Sequence, residues 1–463
     1  MILSSQKVLG EMMIAFLNDF KAIIIAIVIG LLFFMGAAFL FTTTQSILIG
    51  LIAFLVTLWS NEALPLGAVS LLPLILFPAF GLLDLNSVAP NYSKSIIFLF
   101  LGGFMLAIAI EKIKLHEYFS AKLLSFFPNT PMGIIYALAT TSALLSSILT
   151  NTTITLMLMP IALYLSSNIK LKIRFLLATA YGASVGGILT PIGTAPNLIL
   201  LGFLEDKNLP LLAFGEWVYM MLPIVAVMLL VIPYLLSIGV HDECVKEVKK
   251  EVPKLSSDQK RLYGIIIALS LVLVINTFAK QILGLSLDEK MVLLGFGLMM
   301  FLPKVGFLTW DDTRNLPYEI IFLFGAGFSI ATAFETTGLA VSIAEKLSFI
   351  STLPLFVMFL LVAFFVAFST EVTSNTALTS IAIPIFYEFT QGMSPMEGTL
   401  LLMVATVAAS YAFMLPIATP PNAIVMSSRV IPIATMARIG FKANLIGVLV
   451  VAFVAYGLWT FML

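Results

Sequence analysis

Cysteine and histidine are nearly missing from this chain: one Cys, at 244, and two His, at 116 and 241, among 463 residues. That scarcity excludes a disulfide framework and a Cys/His metal cluster. Charge is scarce as well. Charged residues make up 10% and hydrophobic ones 60%, whereas a soluble domain carries about 25% charged residues. The formal net charge is zero, so the total says nothing about partners, and no nucleic-acid partner is expected. No nucleophile–base pair, metal motif or nucleotide loop is present, and Gly102-Gly103 alone does not make a phosphate loop. The sequence offers no catalytic residues, which argues against an enzyme.

What it has in abundance is apolar chain. A membrane-crossing helix needs about 20 apolar residues. Stretches of that kind recur at 22–41, 47–60, 64–83, 95–110, 217–240, 262–279 and 441–463. The solvent for so much apolar surface is lipid. Residues 1–21 are mixed, with Glu11, Asp19 and Lys21, and do not read as a cleaved signal peptide. The longest polar stretch runs from His241 to Arg261. Its lysines place it on the cytoplasmic side. Propagation from there predicts eleven crossings, two hairpins that enter and leave on one side, and a cytoplasmic N-terminus. Of the 24 basic residues, only Lys94, Lys207, Lys280, Lys290 and Lys346 then fall outside.

Internal repeats are the next signal. Ser95–Leu123 and Glu319–Leu347 share 13 of 29 positions at an offset of 224. At the same offset Ser146, Thr150, Asn151, Thr152 and Pro160 fall on Thr370, Ser374, Asn375, Thr376 and Pro384. One residue further on in register, Pro191-Ile-Gly-Thr-Ala-Pro-Asn197 falls on Pro416-Ile-Ala-Thr-Pro-Pro-Asn422. The predicted topology sets the two copies in opposite directions, as inverted repeats. Inverted repeats are the architecture of many secondary transporters, whose solute site lies at the repeat interface near mid-membrane. The fold class expected is thus an all-α polytopic membrane protein, with about 11 transmembrane helices and two re-entrant hairpins.

Two kinds of polar segment interrupt the apolar runs. Ser146–Thr153 and Thr370–Thr376 lie midway along 132–165 and 353–390. Neither stretch holds two full spans, so each reads as a hairpin with its polar cluster at the tip. Non-helical backbone at that depth must be buried in protein or line a watery cavity. The Pro-rich segments 191–197 and 416–422 cannot continue a helix and read as breaks. No Lys or Arg lies within ten residues of either tip. An anionic solute would have to be held by hydroxyls, Asn amides, helix N-termini and bound cations. An all-oxygen shell suits a hard cation such as Na+. Glu371, the carboxylate nearest a tip, reads as a hairpin partner, with a proton-relay role as the alternative. His116 and His241 read as solvated, and Trp59, Trp217, Trp310 and Trp459 as anchors at the membrane interface.

Thr370-Glu371 ahead of Ser374-Asn375-Thr376, followed by LPIATPPNAIV at 415–425, resembles the divalent anion/Na+ symporter family, also called the INDY family. The resemblance covers nearly the whole chain. It implies an elevator-type homodimer in the bilayer of a bacterial inner membrane, with two or more Na+ per protomer. The implied scaffold comprises 1–131 and 241–352, and the implied transport domain 132–240 and 353–463. One cation site would use Ser146, Thr150, Asn151 and the Gly193 carbonyl; the other would use Thr370, Thr373, Asn375 and the Ala418 carbonyl. The solute would touch Asn151, Thr152, Thr194, Ser374, Asn375, Thr376, Thr419 and Pro420. The first motif departs from the family pattern, reading Thr150-Asn151-Thr152, and Ala195 stands opposite Pro420. The function implied is Na+-coupled symport of C4-dicarboxylates such as succinate, malate or fumarate. Na+-independent exchange and carriage of citrate or sulfate are the alternatives within the family. A channel is disfavoured, because the polar residues cluster instead of lining a path.

Overall fold

The computed structural model describes residues 20–61, 64–240, 245, 252–283, 287–347 and 353–462, with backbone alone for 277–283 and 462. The N-terminal segment 1–19, His241, Cys244 and Lys246, Lys249 and Lys250 of the predicted cytoplasmic loop lie outside the described residues. Every regular element among the described residues is a helix. Five of them are long and apolar enough to cross a membrane: 43–61, 85–112, 214–237, 318–337 and 433–459.

The chain divides into two compact units, at Tyr92/Ser93, Pro317/Tyr318 and Lys346/Leu347. The first unit holds α1 (Lys21–Ala37), α2 (Thr43–Asn61), α3 (Leu66–Leu71), α4 (Pro73–Ala79) and α5 (Leu85–Val88), and its later part comes from 318–346. Small residues let α1 and α2 touch backbone to backbone. A Cβ built on Gly30 would lie 2.9 Å from the Gly50 carbonyl oxygen. The outer face of α1 exposes Leu31, Leu32 and Phe33. A soluble protein would not tolerate that face, and lipid does.

The second unit begins with α6 (Ser95–Lys112), α7 (Leu115–Ser125), α8 (Pro131–Ser146), α9 (Asn151–Tyr164), α10 (Ile169–Gly187), α11 (Ala195–Asp206), α12 (Phe214–Ser237), α13 (Ser257–Leu283) and α14 (Glu289–Met299). The chain then returns to the first unit for α15 (Tyr318–Thr337) and α16 (Leu339–Lys346). It ends in the second unit with α17 (Leu355–Ser369), α18 (Asn375–Phe389), α19 (Pro395–Ala409), α20 (Pro420–Ser427) and α21 (Ile433–Val454).

Caps fix several helix starts. Thr130 accepts from the Gly133 N–H with Pro131 as the first helical residue of α8, and Ser394 with Glu397 forms a capping box on α19. The α8–α10 pair is close-packed, and a Cβ on Gly186 would meet the Ala143 carbonyl oxygen at 2.0 Å. A polar cluster ties the end of α11 to the starts of α6 and α14. Lys290 pairs with Glu205 at 2.5 Å, Ser95 Oγ donates to both Glu205 oxygens, and Lys94 pairs with Asp206. At the other end of α6, the Lys112 ammonium and the Thr309 N–H hold the Asp312 carboxyl down at about 2.

Two expectations fail here. Trp310 is exposed, as an interface anchor would be, but Trp59, Trp217 and Trp459 are buried. Their ring N–H groups donate to Ser70 Oγ, the Ile188 carbonyl and the Met220 carbonyl at 3.3, 3.0 and 2.8 Å. A buried indole needs an acceptor, and these three find one inside the bundle. His116 is also buried, its Nδ1 lying 3.3 Å from the Ile110 carbonyl oxygen. It folds back over the end of α6 instead of facing solvent.

Candidate functional site

The two polar tips are built alike. α8 and α9 meet at 147–150, and α17 and α18 meet at 370–374. Helices of 16, 14, 15 and 15 residues are all shorter than a full crossing. In the first tip Ser146 Oγ donates to Asn151 Oδ1 at 2.5 Å; in the second Thr370 Oγ1 donates to Asn375 Oδ1 at 2.5 Å. The Asn151 carbonyl accepts from Thr155 Oγ1 and the Asn375 carbonyl from Thr379 Oγ1, both at 2.7 Å. Each Asn is the first residue of its helix, where the amide dipoles concentrate positive potential.

Both broken segments are also present. α10 stops at Gly187 and α11 starts at Ala195; α19 stops at Ala409 and α20 starts at Pro420, with one 3-10 turn at Pro416–Ala418 between. Thr194 (φ −148°, ψ 148°) and Thr419 (φ −144°, ψ 150°) hold nearly the same extended backbone at the N-caps. Asn197 Nδ2 donates to the carbonyls of Gly187 and Thr190 at 3.3 and 2.9 Å. Asn422 Nδ2 donates to the corresponding carbonyls of Ala412 and Leu415, both at 3.0 Å. Buried backbone groups freed from a helix must find other partners, and the asparagine of each Pro-rich motif supplies them.

Each tip docks on its own broken segment. Thr190 Oγ1 donates to the Ser147 carbonyl at 2.5 Å, and Thr370 Oγ1 to the Ala409 carbonyl at 3.1 Å. A Cβ on Gly187 would sit 3.1 Å from Asn151 Oδ1 and 3.3 Å from the Gly193 carbonyl oxygen. Ser146, Asn151 and the Gly193 carbonyl therefore converge on the Gly187 backbone. The helix that follows each break packs on the other half: α11 on α18 and α19, α20 on α9 and α10. The two polar clusters thus interlock within one unit.

Other residues named from the sequence behave less uniformly. Thr150 Oγ1 caps α9 by accepting from the Thr153 N–H at 3.2 Å, while Ser374 at the start of α18 makes no such bond. Thr373 Oγ1 donates back to the Ser369 carbonyl at 2.9 Å, outside the Thr370–Asn375 pair. Thr152 is exposed and its counterpart Thr376 buried. Thr419 and Ala418 are buried, and Pro420 is exposed.

Glu371 lies 3% exposed behind the second tip. Its Oε1 accepts from the Met414 N–H and from Asn444 Nδ2 at 2.9 and 2.7 Å; its Oε2 accepts from the Leu415 N–H at 2.9 Å. Asn444 Oδ1 in turn accepts from the Phe413 N–H at 3.2 Å. The carboxylate is a clamp on the second broken segment, with its acceptor positions turned to backbone and amide N–H groups. Sequence reasoning missed Tyr181 and Asn444 and misread Trp217, and all three hold these segments from apolar helices. A lone Asn in the apolar run of α21 was the one available signal.

Comparison with known proteins agrees with this architecture. Residues 51–408 match the family described as citrate transporter (CitMHS). The sodium-dependent dicarboxylate transporter SdcS of Staphylococcus saprophyticus is 30% identical over 433 residues, covering 86% of this chain and 83% of that protein. SdcS of Staphylococcus aureus strain NCTC 8325 is 29% identical with the same coverage. Among solved structures, the YdaH transporter of Alcanivorax borkumensis aligns with a TM-score of 0.54 at 14% identity, covering 90% of this chain and 99% of that one. MtrF of Neisseria gonorrhoeae aligns with a TM-score of 0.57 at 13% identity, covering 91% and 97%. At such identities those two likenesses speak for the fold alone. The twin Asn-centred tips, their paired broken helices and the extent of these matches make this chain a multi-pass membrane transporter of the divalent anion/Na+ symporter family, not an enzyme.

Proposed function

We propose that the chain is a Na+-coupled symporter of C4-dicarboxylates, working in a bacterial inner membrane with its N-terminus in the cytoplasm. The observation that carries this reading is the pair of hydroxyl–asparagine clusters, Ser146–Asn151 and Thr370–Asn375, each docked on a broken helix. Na+ is cargo here. It would be held by Ser146, Thr150, Asn151 and the Gly193 carbonyl in one half, and by Thr370, Thr373, Asn375 and the Ala418 carbonyl in the other. The dianion would lie between the tips against Asn151, Thr152, Thr194, Ser374, Asn375, Thr376, Thr419 and Pro420. Electrostatics supports the coupling. The tips hold no Lys or Arg, so a dianion gains its positive partners only from helix N-termini and co-bound cations. The relatives named for sodium and dicarboxylate support the same choice. The family description of citrate transport keeps a tricarboxylate as the second reading.

The test is succinate uptake into proteoliposomes, with Na+ replaced by choline and with citrate as competitor. Uptake is expected to require external Na+ and to rise with a Hill coefficient above one. Equal uptake in choline would replace this reading with exchange. Stronger competition by citrate than by malate would replace the dicarboxylate with a tricarboxylate. The dianion should be the transported form. Carboxyl groups protonate near pH 4–5, so uptake at fixed total succinate should fall between pH 7 and pH 5. A rise would instead implicate proton coupling.

Gly187 offers a test of one cation site alone. A methyl there intrudes between Asn151 Oδ1 and the Gly193 carbonyl, and its three nearest atoms all belong to the first cluster. Gly187→Ala is expected to lower the Hill coefficient to about one and to slow uptake on the order of tenfold, a loss of about 1.4 kcal/mol. Wild-type Na+ dependence in this variant would move the site elsewhere.

Alternating access would be an elevator movement in a homodimer, with the two inverted repeats supplying a moving unit around the tips and a static frame. Carrying a solute through about half of a 30 Å core takes roughly 10–15 Å. On this reading α11 travels past α6 and α14, so the Lys290–Glu205 and Lys94–Asp206 pairs must part. Surface pairs are typically worth about 1 kcal/mol or less, so these half-exposed pairs set only a small barrier to movement. Cysteine crosslinks between α11 and α6 should stop uptake while leaving Na+-dependent succinate binding measurable. Normal uptake by crosslinked protein would refute the movement.

A further inference from the structure

Side chains hold much of the backbone of the second broken segment, and one of these partners comes from the other half of the chain. The Ala412 and Leu415 carbonyls accept from Asn422. The Phe413 N–H donates to Asn444, and the Met414 and Leu415 N–H groups donate to Glu371. These partners all belong to the second half. The Phe413 carbonyl is the exception: it accepts from Tyr181 OH at 2.7 Å, across a sequence separation of 232. Tyr181 is on α10, and that helix ends at Gly187, where the first cluster converges. Six residues of helix, about 9 Å, therefore connect the first cation cluster to a carbonyl of the second broken segment.

The surroundings make this link stiff. Tyr181 is fully buried. Its ring lies 4.9 Å from that of Phe413, which stacks on Tyr411 at 5.6 Å. Close packing of α10 on α8, where Gly186 leaves no room for a Cβ beside Ala143, prevents the helix end from yielding locally. A shift of Gly187 on filling the first cluster would thus be carried along α10 to the Tyr181 hydroxyl. The first broken segment has its own aromatic donor, Trp217 Nε1 on the Ile188 carbonyl, at the position matching Phe413. That donor comes from the same half, so of these two broken-segment carbonyls only that of Phe413 is held from the other half, by Tyr181.

We propose that Tyr181 is a positioning residue whose hydroxyl, bonded to the Phe413 carbonyl, couples the two cation clusters, so that filling the first orders the backbone of the second. The proposal rests on the reading above that each cluster takes a Na+. It predicts that cooperativity in Na+ depends on one hydroxyl that touches neither ion nor solute.

Tyr181→Phe removes that hydroxyl and keeps the ring stack. Tyr411→Phe is the matched control, since the Tyr411 hydroxyl is buried in the same aromatic cluster and has no hydrogen-bond partner among the described residues. Succinate uptake into proteoliposomes is measured against external Na+ for the wild type and both variants. One net hydrogen bond corresponds to roughly a two- to tenfold change in an equilibrium. Tyr181→Phe is therefore expected to raise half-saturating Na+ by about that factor and to bring the Hill coefficient toward one. Its maximal rate at saturating Na+ should stay within about twofold, and Tyr411→Phe should match the wild type. Melting of the purified variants as Na+ is titrated reads the same steepness without transport, so a poorly transporting variant is still informative. Wild-type steepness in Tyr181→Phe overturns the coupling, and so do equal changes in both variants, which would reduce the role to packing. Wild-type uptake indifferent to Na+ overturns the cation reading itself and the coupling with it, a result distinct from either of those.

Discussion

Asn375→Ala, and separately Asn151→Ala, are expected to cut succinate uptake by about 100-fold or more, equivalent to about 2.7 kcal/mol. Each side-chain oxygen is the acceptor for the hydroxyl of its own tip, at 2.5 Å in both cases. An asparagine both donates and accepts, so on the proposed reading each one faces a cation and the dianion together. Its loss weakens both cargoes in one step. The backbone should survive. In Asn375→Ala the Thr370 hydroxyl keeps the Ala409 carbonyl as acceptor, and the docking of the second tip through Glu371 is untouched. The measurement is initial uptake normalised to folded protein by size-exclusion chromatography. Uptake within a fewfold of wild type from either variant would remove that asparagine from the site.

Glu371→Ala is expected to fail earlier, at folding. It strips acceptors from the Met414 N–H, the Leu415 N–H and Asn444 Nδ2 together. Each buried donor left unsatisfied costs about 1–3 kcal/mol, and the whole stability of a domain is roughly 5–15 kcal/mol. Glu371→Gln retains the shape and one acceptor oxygen but sets an amide N–H against a backbone N–H and loses the charge that strengthens these bonds. The expected series in melting temperature is therefore wild type, then Gln, then Ala with little or no monodisperse protein. An Ala variant that melts like the wild type would dismiss the clamp. A Gln variant that melts normally but loses all pH dependence of uptake would revive the proton-relay alternative.

Much of the candidate site's local geometry is legible because the recurring motifs carry their bonding partners with them. Ser146 and Asn151, or Thr370 and Asn375, stand five residues apart, so a hairpin tip brings them together whatever surrounds it. Asn197 and Asn422 reach carbonyls within ten residues, across breaks that the prolines announce. The misreadings came from residues judged one at a time. Trp217 near a span end resembles an interface anchor by composition, and only its neighbours show it to be a donor to Ile188.

The sequence by itself determined that the chain lives in lipid, that its polar motifs recur at a near-constant offset, and where helices stop and polar tips begin. These follow from hydropathy, proline and short-range spacing, which are local properties. The tertiary structure alone decided who holds the unwound backbone. Tyr181 reaches Phe413 across 232 residues and Asn444 reaches Glu371 across 73. The physical reason is that a carbonyl released from its helix has no partner fixed by local spacing and must take whichever buried donor the packing brings near. Periodicity tells which face of α10 or α21 is buried. It does not tell which carbonyl that face meets, and the proposed link between the two halves depends on that meeting.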